Sequence, residues 1–182
     1  MSSLYYLREM PFSRLFWGIV LLAAVLCEGI ALGYQYLLHE DPCSICVRIR
    51  ALVGLIGLTG LFGMALAGQQ RVLFVLPLVV LFGSVLKISM LAEQAVKIER
   101  GTLFSTCGMD AGFPTWMPLD SWWPAVFEPT GLCGKVVSLL PGWQAGPSMS
   151  EALHYGAMTM LVLLAFMVFQ SIVLMIVSKP GQ

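Results

Sequence analysis

Residues 15–38 read LFWGIVLLAAVLCEGIALGYQYLL, an apolar run of 24 residues whose single charge is Glu28 and whose other strongly polar side chain is Gln35. As a helix it would be roughly 36 Å long at about 1.5 Å per residue, enough to cross about 30 Å of hydrocarbon. Three further stretches have the same character. Val47 to Gly68 is uncharged after Arg50, Val72 to Ala92 is broken only by Lys87, and Leu153 to Val177 carries His154, Thr159, Gln170 and Ser171. None shows the two-residue alternation of a membrane strand, and a barrel would need more segments. The expected fold is an all-α, four-helix membrane bundle in one integral domain spanning residues 1–182, with spans near 15–38, 47–68, 72–92 and 153–177.

Composition agrees with those runs. Of 182 residues, 58% are hydrophobic and 11% charged, with mean hydropathy +0.85. Such a chain has too little charge to coat a soluble globule and too much apolar surface to remain disordered. Ten Lys and Arg balance ten Asp and Glu, so there is no basic face for nucleic acid. The expected surroundings are membrane lipid, with the chain a monomer.

The connections differ in size. Gln69, Gln70 and Arg71 join the second and third spans as a tight hairpin, and residues 39–46 join the first pair. Residues 93–152 form a long loop containing Pro114, Pro118, Pro124, Pro129, Pro141 and Pro147, with Trp116, Trp122, Trp123 and Trp143. The prolines preclude a long helix, and the tryptophans suit a segment packed at the bilayer interface. No internal repeat is visible. Glu28 within the first span, and Leu26 ahead of Cys27, argue against a cleaved signal or lipoprotein site, so the first helix is expected to be retained.

Lysines and arginines fall on both sides and do not orient the chain. Cysteines do. Cys27 lies within the first span and reads as a small buried apolar residue. Cys43, Cys46, Cys107 and Cys133 all fall in the two loops of one side, which indicates an oxidising, extracytoplasmic face and cytoplasmic termini. Cys43-Ser44-Ile45-Cys46 is a C-x-x-C, a spacing shared by zinc sites and redox dithiols. Asp41 suits the N-cap of the second span and Pro42 its first turn, which would make Cys43 the second helical residue, where the helix dipole favours a thiolate. Arg50, four residues after Cys46, continues the same face and can stabilise a thiolate, bind a polar headgroup or snorkel to the interface. Arg48 is turned about 200° away and reads as a solvated interfacial charge. Cys107 and Cys133, taken alone, fit a structural disulfide or two ligands of a four-thiolate zinc site. Glu28 and Lys87, at similar depth, are expected to pair across the first and third helices, with a proton path as the alternative. His154 reads as an interface residue.

At these residues the chain resembles the disulfide bond formation protein B family, DsbB. The resemblance covers the four spans, the C-x-x-C opening the second, the arginine four residues beyond it, Glu28, and a long second loop with two cysteines. Within that loop, Phe104-Ser105-Thr106-Cys107 and Phe113-Pro114-Thr115-Trp116-Met117-Pro118-Leu119-Asp120 follow the family pattern, as does the spacing to Cys133. The resemblance implies a membrane thiol–quinone oxidoreductase of the bacterial inner membrane. Its loop pair would accept electrons from a periplasmic DsbA-like thiol oxidase, with Cys107 forming the mixed disulfide and Cys133 exchanging with Cys43. Cys46 would pass electrons to ubiquinone or menaquinone held near Arg50. Two departures lie close to that quinone position. Gln94 stands where the family type has a histidine, and Arg48-Ile49 replaces a Tyr-Glu pair. A membrane subunit with purely structural disulfides is the non-enzymatic rival. The vitamin K epoxide reductase family is a nearer one, but its loop cysteines precede the C-x-x-C.

Overall fold

The computed structural model describes residues 13–67, 75–104, 110–138 and 146–177. Its long helices are α1 (Arg14–Leu37), α2 (Ser44–Leu66), α3 (Val75–Glu99) and α6 (Met149–Val177), and two single-turn helices, α4 (Leu119–Trp122) and α5 (Pro124–Phe127), lie between α3 and α6. The four long helices are each long and apolar enough to span a bilayer, as the sequence runs require. The hairpin Gln69–Arg71 lies outside the described residues.

α1 starts where Ser13 accepts the Phe16 N–H at 3.1 Å, satisfying one of the donors a helix start leaves open. It stops at His39, whose φ of 54° is left-handed, and the Glu40 N–H closes on the Tyr34 carbonyl at 3.1 Å. α3 runs to Glu99, about seven residues and ~10 Å beyond the end expected from hydropathy. Its last turns are polar, and Lys97 pairs with Glu93 at 2.7 Å one turn earlier. α6 likewise begins four residues before the apolar run, at Met149. Ser148 caps it by accepting the Glu151 N–H at 3.1 Å. Ser148 and Ser150 also donate to the Glu99 carboxylate at 2.8 and 2.6 Å, and Arg100 pairs with Glu151 at 2.7 Å. These contacts tie the two ends of the long connection together. Polar capping and pairing extend both helices past the membrane core, a contribution that apolar run length does not register.

α1 packs on α2, α2 on α3, and α3 on α6. Lipid tails are as apolar as leucine, so association in a membrane relies on close packing rather than on expulsion of water. The α1–α2 contact shows how. Gly60 faces the α1 backbone so closely that a Cβ would stand 2.9 Å from the Leu21 nitrogen, and a Cβ at Gly63 would enter the Trp17 ring. Trp17 is fully buried there, in a cluster with Val20, Leu78, Leu81, Val85 and Leu164. Leu15, Ile19, Leu22, Val25, Phe62, Leu76 and Phe169 point outward, as lipid-facing side chains do.

This row of helices corrects two sequence expectations. Among the described residues no ion pair or hydrogen bond joins Glu28 and Lys87. Lys87 is exposed, Glu28 Oε1 is buried with no hydrogen-bond partner among the described residues, and the charge of Arg50 on α2 acts on Glu28. Cys27 is exposed rather than buried, because the α1 face carrying Leu22, Val25 and Leu26 is turned away from the bundle.

Candidate functional site: a dithiol under a docked loop

Cys43 is the N-cap of α2 rather than its second residue. Its sulfur accepts the Cys46 N–H at 3.4 Å and its carbonyl accepts the Val47 N–H at 3.0 Å. Asp41 and Pro42, expected to start the helix, are occupied elsewhere. The Pro42 carbonyl accepts the N–H groups of Thr130 and Gly131 at 3.1 and 3.0 Å, and Asp41 Oδ1 accepts the Thr130 hydroxyl at 3.3 Å. A side chain at Gly131 would strike the Asp41 backbone. The thiol therefore takes the capping role that the aspartate gave up to the loop.

The Cys43 and Cys46 sulfurs lie 2.9 Å apart and both cysteines are free. The Cys43 thiol is lowered to about 6, first by the hydrogen bond from the Cys46 thiol and then by the N–H groups of Cys46, Ile45 and Cys43, with burial opposing. It is thus a thiolate at neutral pH, the nucleophilic form. Cys46 is exposed on the flank of α2, whereas its neighbours Ile45 and Val47 are buried.

The loop cysteine Cys133 is disulfide-bonded. Its sulfur lies 3.9 Å from Ser44 Oγ, within the C-x-x-C at the start of α2. The Thr130–Gly131 contacts just described and an ion pair between Lys135 and Glu40 hold this stretch against the end of the bundle. Cys107 lies outside the described residues, as do Pro141 and Trp143.

Arg50 is buried, 7% exposed. Nη1 donates to Gln35 Oε1 at 2.5 Å and to the Val126 carbonyl at 3.1 Å, and Nη2 donates to the Ala31 carbonyl at 3.0 Å. One guanidinium thereby joins α1, α2 and α5. Tyr36 adds a 2.5 Å hydrogen bond to the Ala125 carbonyl, and Phe113 meets Phe127 edge to face at 6.0 Å. Arg50 is on the Cys46 face, as its spacing requires, and its charge acts on both Cys46 and Glu28. Among the described residues these three bonds leave its Nε–H and one Nη2–H without a hydrogen-bond partner. Gln94 is exposed on α3, and among the described residues no hydrogen bond joins it to Arg50 or the dithiol. His154 contacts the Ser89 carbonyl at 3.3 Å and the Tyr155 ring, away from the cysteines.

Arg48 departs from expectation. It is not a free interfacial charge, for Nε donates to the buried Ala111 carbonyl at 2.6 Å. Spacing places Arg48 off the Cys46 face but does not reveal what it meets, because its partner is 63 residues away. Trp116, Trp122 and Trp123 project outward from the same loop.

A four-helix membrane bundle that brings a free C-x-x-C, opening one helix, beside a disulfide-bonded loop cysteine is a membrane thiol–disulfide protein. The family whose description is "Disulfide bond formation protein DsbB" matches residues 13–170. "Disulfide bond formation protein B" of Shewanella amazonensis is 38% identical over 141 residues, covering 76% of this chain and 80% of the relative. The protein of the same name from Shewanella loihica is 36% identical over 156 residues, 84% and 86% of the two chains. "Disulfide bond formation protein B 2" of Pseudomonas aeruginosa is 38% identical over 136 residues, 71% and 78% of the two. The chain belongs to the DsbB family of multi-pass membrane proteins of disulfide bond formation.

Proposed function

We propose that this protein is a thiol:quinone oxidoreductase of the bacterial inner membrane, with its cysteines on the periplasmic side and both termini in the cytoplasm. In this reading it reoxidises a periplasmic DsbA-like thiol oxidase. A thiolate of the partner attacks Cys107 of a Cys107–Cys133 disulfide, forming a mixed disulfide and releasing Cys133 as thiolate. The partner's second thiol resolves the mixed disulfide, so the partner leaves oxidised and the loop holds two thiols. Cys133 then attacks Cys43 of an oxidised Cys43–Cys46 pair. Cys46 departs as thiolate, and Cys107 closes the loop disulfide again, leaving the C-x-x-C reduced.

The observation that carries this reading is the approach of Cys133 to the start of α2, 3.9 Å from Ser44 Oγ. A structural staple gains nothing from a position beside a free dithiol, whereas exchange requires it. The lowered Cys43 thiol supports the same reading, since a good leaving and attacking thiolate speeds exchange.

The energetics call for a stronger acceptor. DsbA lies near −120 mV, and a structural disulfide below about −300 mV would be more than ~8 kcal/mol too reducing to reoxidise it. A bound membrane quinone, ubiquinone or menaquinone, supplies a two-electron, two-proton acceptor. The residues present fit one: Cys46 is open at the bundle surface, and Arg50 on the same face keeps two N–H donors for a carbonyl oxygen. Arg50 would orient that oxygen and hold negative charge on Cys46.

The test is anaerobic quinone reduction by purified protein in lipid, with either a reduced DsbA-type oxidase or dithiothreitol as donor. Cys46→Ser should abolish reduction with both donors. Cys107→Ser should abolish it with the protein donor only. Equal behaviour of the two variants with dithiothreitol would show the relay order to be wrong.

A further inference from the structure

Helix α2 grips the long loop at two places with two arginines that point to different sides. Arg50 holds the α5 end, at Val126. Arg48 holds the other end, at Ala111, and the turn it grips is shaped for it. Gly112 has φ +66°, and the space a side chain would need there is filled by the Arg48 guanidinium. Asp110 Oδ1 accepts the Gly112 N–H at 2.7 Å, closing the turn, and Ala111 is fully buried under it. This turn begins three residues after Cys107 in the chain, while Arg48 is two residues after Cys46.

We propose that Arg48 is a positioning residue for electron entry. By clamping the Asp110–Gly112 turn to the helix that carries the dithiol, it fixes a point of the loop three residues along the chain from Cys107 for recognition by the protein donor. The inference rests on the functional reading above and adds to it a residue that acts on the donor side rather than on the quinone side. Without the clamp the Asp110–Gly112 turn is no longer tied to α2, and the donor must order it on binding, which costs conformational entropy. The Thr130–Gly131 stretch keeps its own contacts with Pro42. The loss should therefore weaken donor recognition and leave chemistry at the C-x-x-C intact.

The experiment uses oxidised, quinone-stripped full-length protein mixed with a reduced DsbA-type oxidase at varied concentration. Samples are acid-quenched, and newly formed thiols are tagged with a maleimide that shifts gel mobility. Arg48→Ala should raise the half-saturating donor concentration about tenfold, the scale of one charge-assisted hydrogen bond, with the maximal rate little changed. Dithiothreitol, too small to need the fixed turn, should reduce the variant as fast as the wild type. Arg48→Lys should recover most of the loss. Gly112→Ala, which displaces the guanidinium, should reproduce it, and the double variant should be no worse than either single one. Unchanged donor kinetics in Arg48→Ala, or equal slowing with both donors, would overturn the proposal. A wild-type protein inert to the protein donor but reduced by dithiothreitol would instead refute the functional reading, and this inference with it.

Discussion

The Cys43 thiolate should give the reduced protein an unusual pH profile. In a Cys27→Ser, Cys107→Ser, Cys133→Ser background only the C-x-x-C reacts, and attack on a small aromatic disulfide reports the thiolate. With Cys43 titrating at about 6, the rate should be present above that pH and fall as pH drops through it. An ordinary cysteine near 8.5 would lose its rate two to three units higher. At pH 5.5 the lowered thiol is ~24% ionised against ~0.1% for the ordinary one, a ratio of about 240. Its weaker basicity costs intrinsic nucleophilicity by about 13-fold, for a Brønsted slope near 0.45 over 2.5 units. The net advantage is therefore about 20-fold at pH 5.5 and only about twofold at pH 7, and it reverses above about pH 7.4. Cys46→Ala removes the largest cause, the thiol hydrogen bond, but keeps the N–H groups of the helix start. Its midpoint should rise above 6 and stay below 8.5. Stopped-flow rates from pH 4.5 to 9.5 decide the matter. A wild-type midpoint at 8 or above, or no movement in Cys46→Ala, would refute the assignment of the thiolate to helix capping and the Cys46 donor.

Two further outcomes follow from the packing. Arg50→Ala should raise the apparent KM for quinone roughly ten- to a hundred-fold, the loss of about 1.5–3 kcal/mol for one charge-assisted hydrogen bond, in steady-state assays at fixed donor. Arg50→Lys should fall between, since it keeps the charge but cannot span Gln35, Ala31 and Val126 at once; a KM unchanged in both variants would remove Arg50 from the quinone site. Gly60→Ala, whose Cβ would meet α1 backbone atoms that have no room to yield, should lower thermal stability in detergent by about 1–3 kcal/mol. Gly54→Ala, with open space around it, should be neutral, and equal melting temperatures would contradict the close α1–α2 contact.

The sequence by itself determined the four spans, the C-x-x-C at the start of the second and the placement of Arg50 on the Cys46 face. These are local properties. Transfer of an apolar run into lipid depends on composition, and the side a residue occupies depends on helical periodicity. The family pattern was legible in the same way, as text and spacing along the chain. Tertiary structure alone decided which helices touch and where the loop lands. A pairing of Glu28 with Lys87 is equally compatible with depth along each helix, but Lys87 is turned outward and the charge of Arg50 acts on Glu28 instead. Asp41 has every local qualification for an N-cap, yet Thr130, 89 residues on, claims its carboxylate and leaves the cap to Cys43. Arg48 looked solvated because its partner, the Ala111 carbonyl, belongs to a distant turn. A backbone carbonyl carries no side-chain signature in the sequence. Contacts of that kind come into being only when the loop folds back on the helix, and the same folding brings Cys133 to Ser44 within the C-x-x-C.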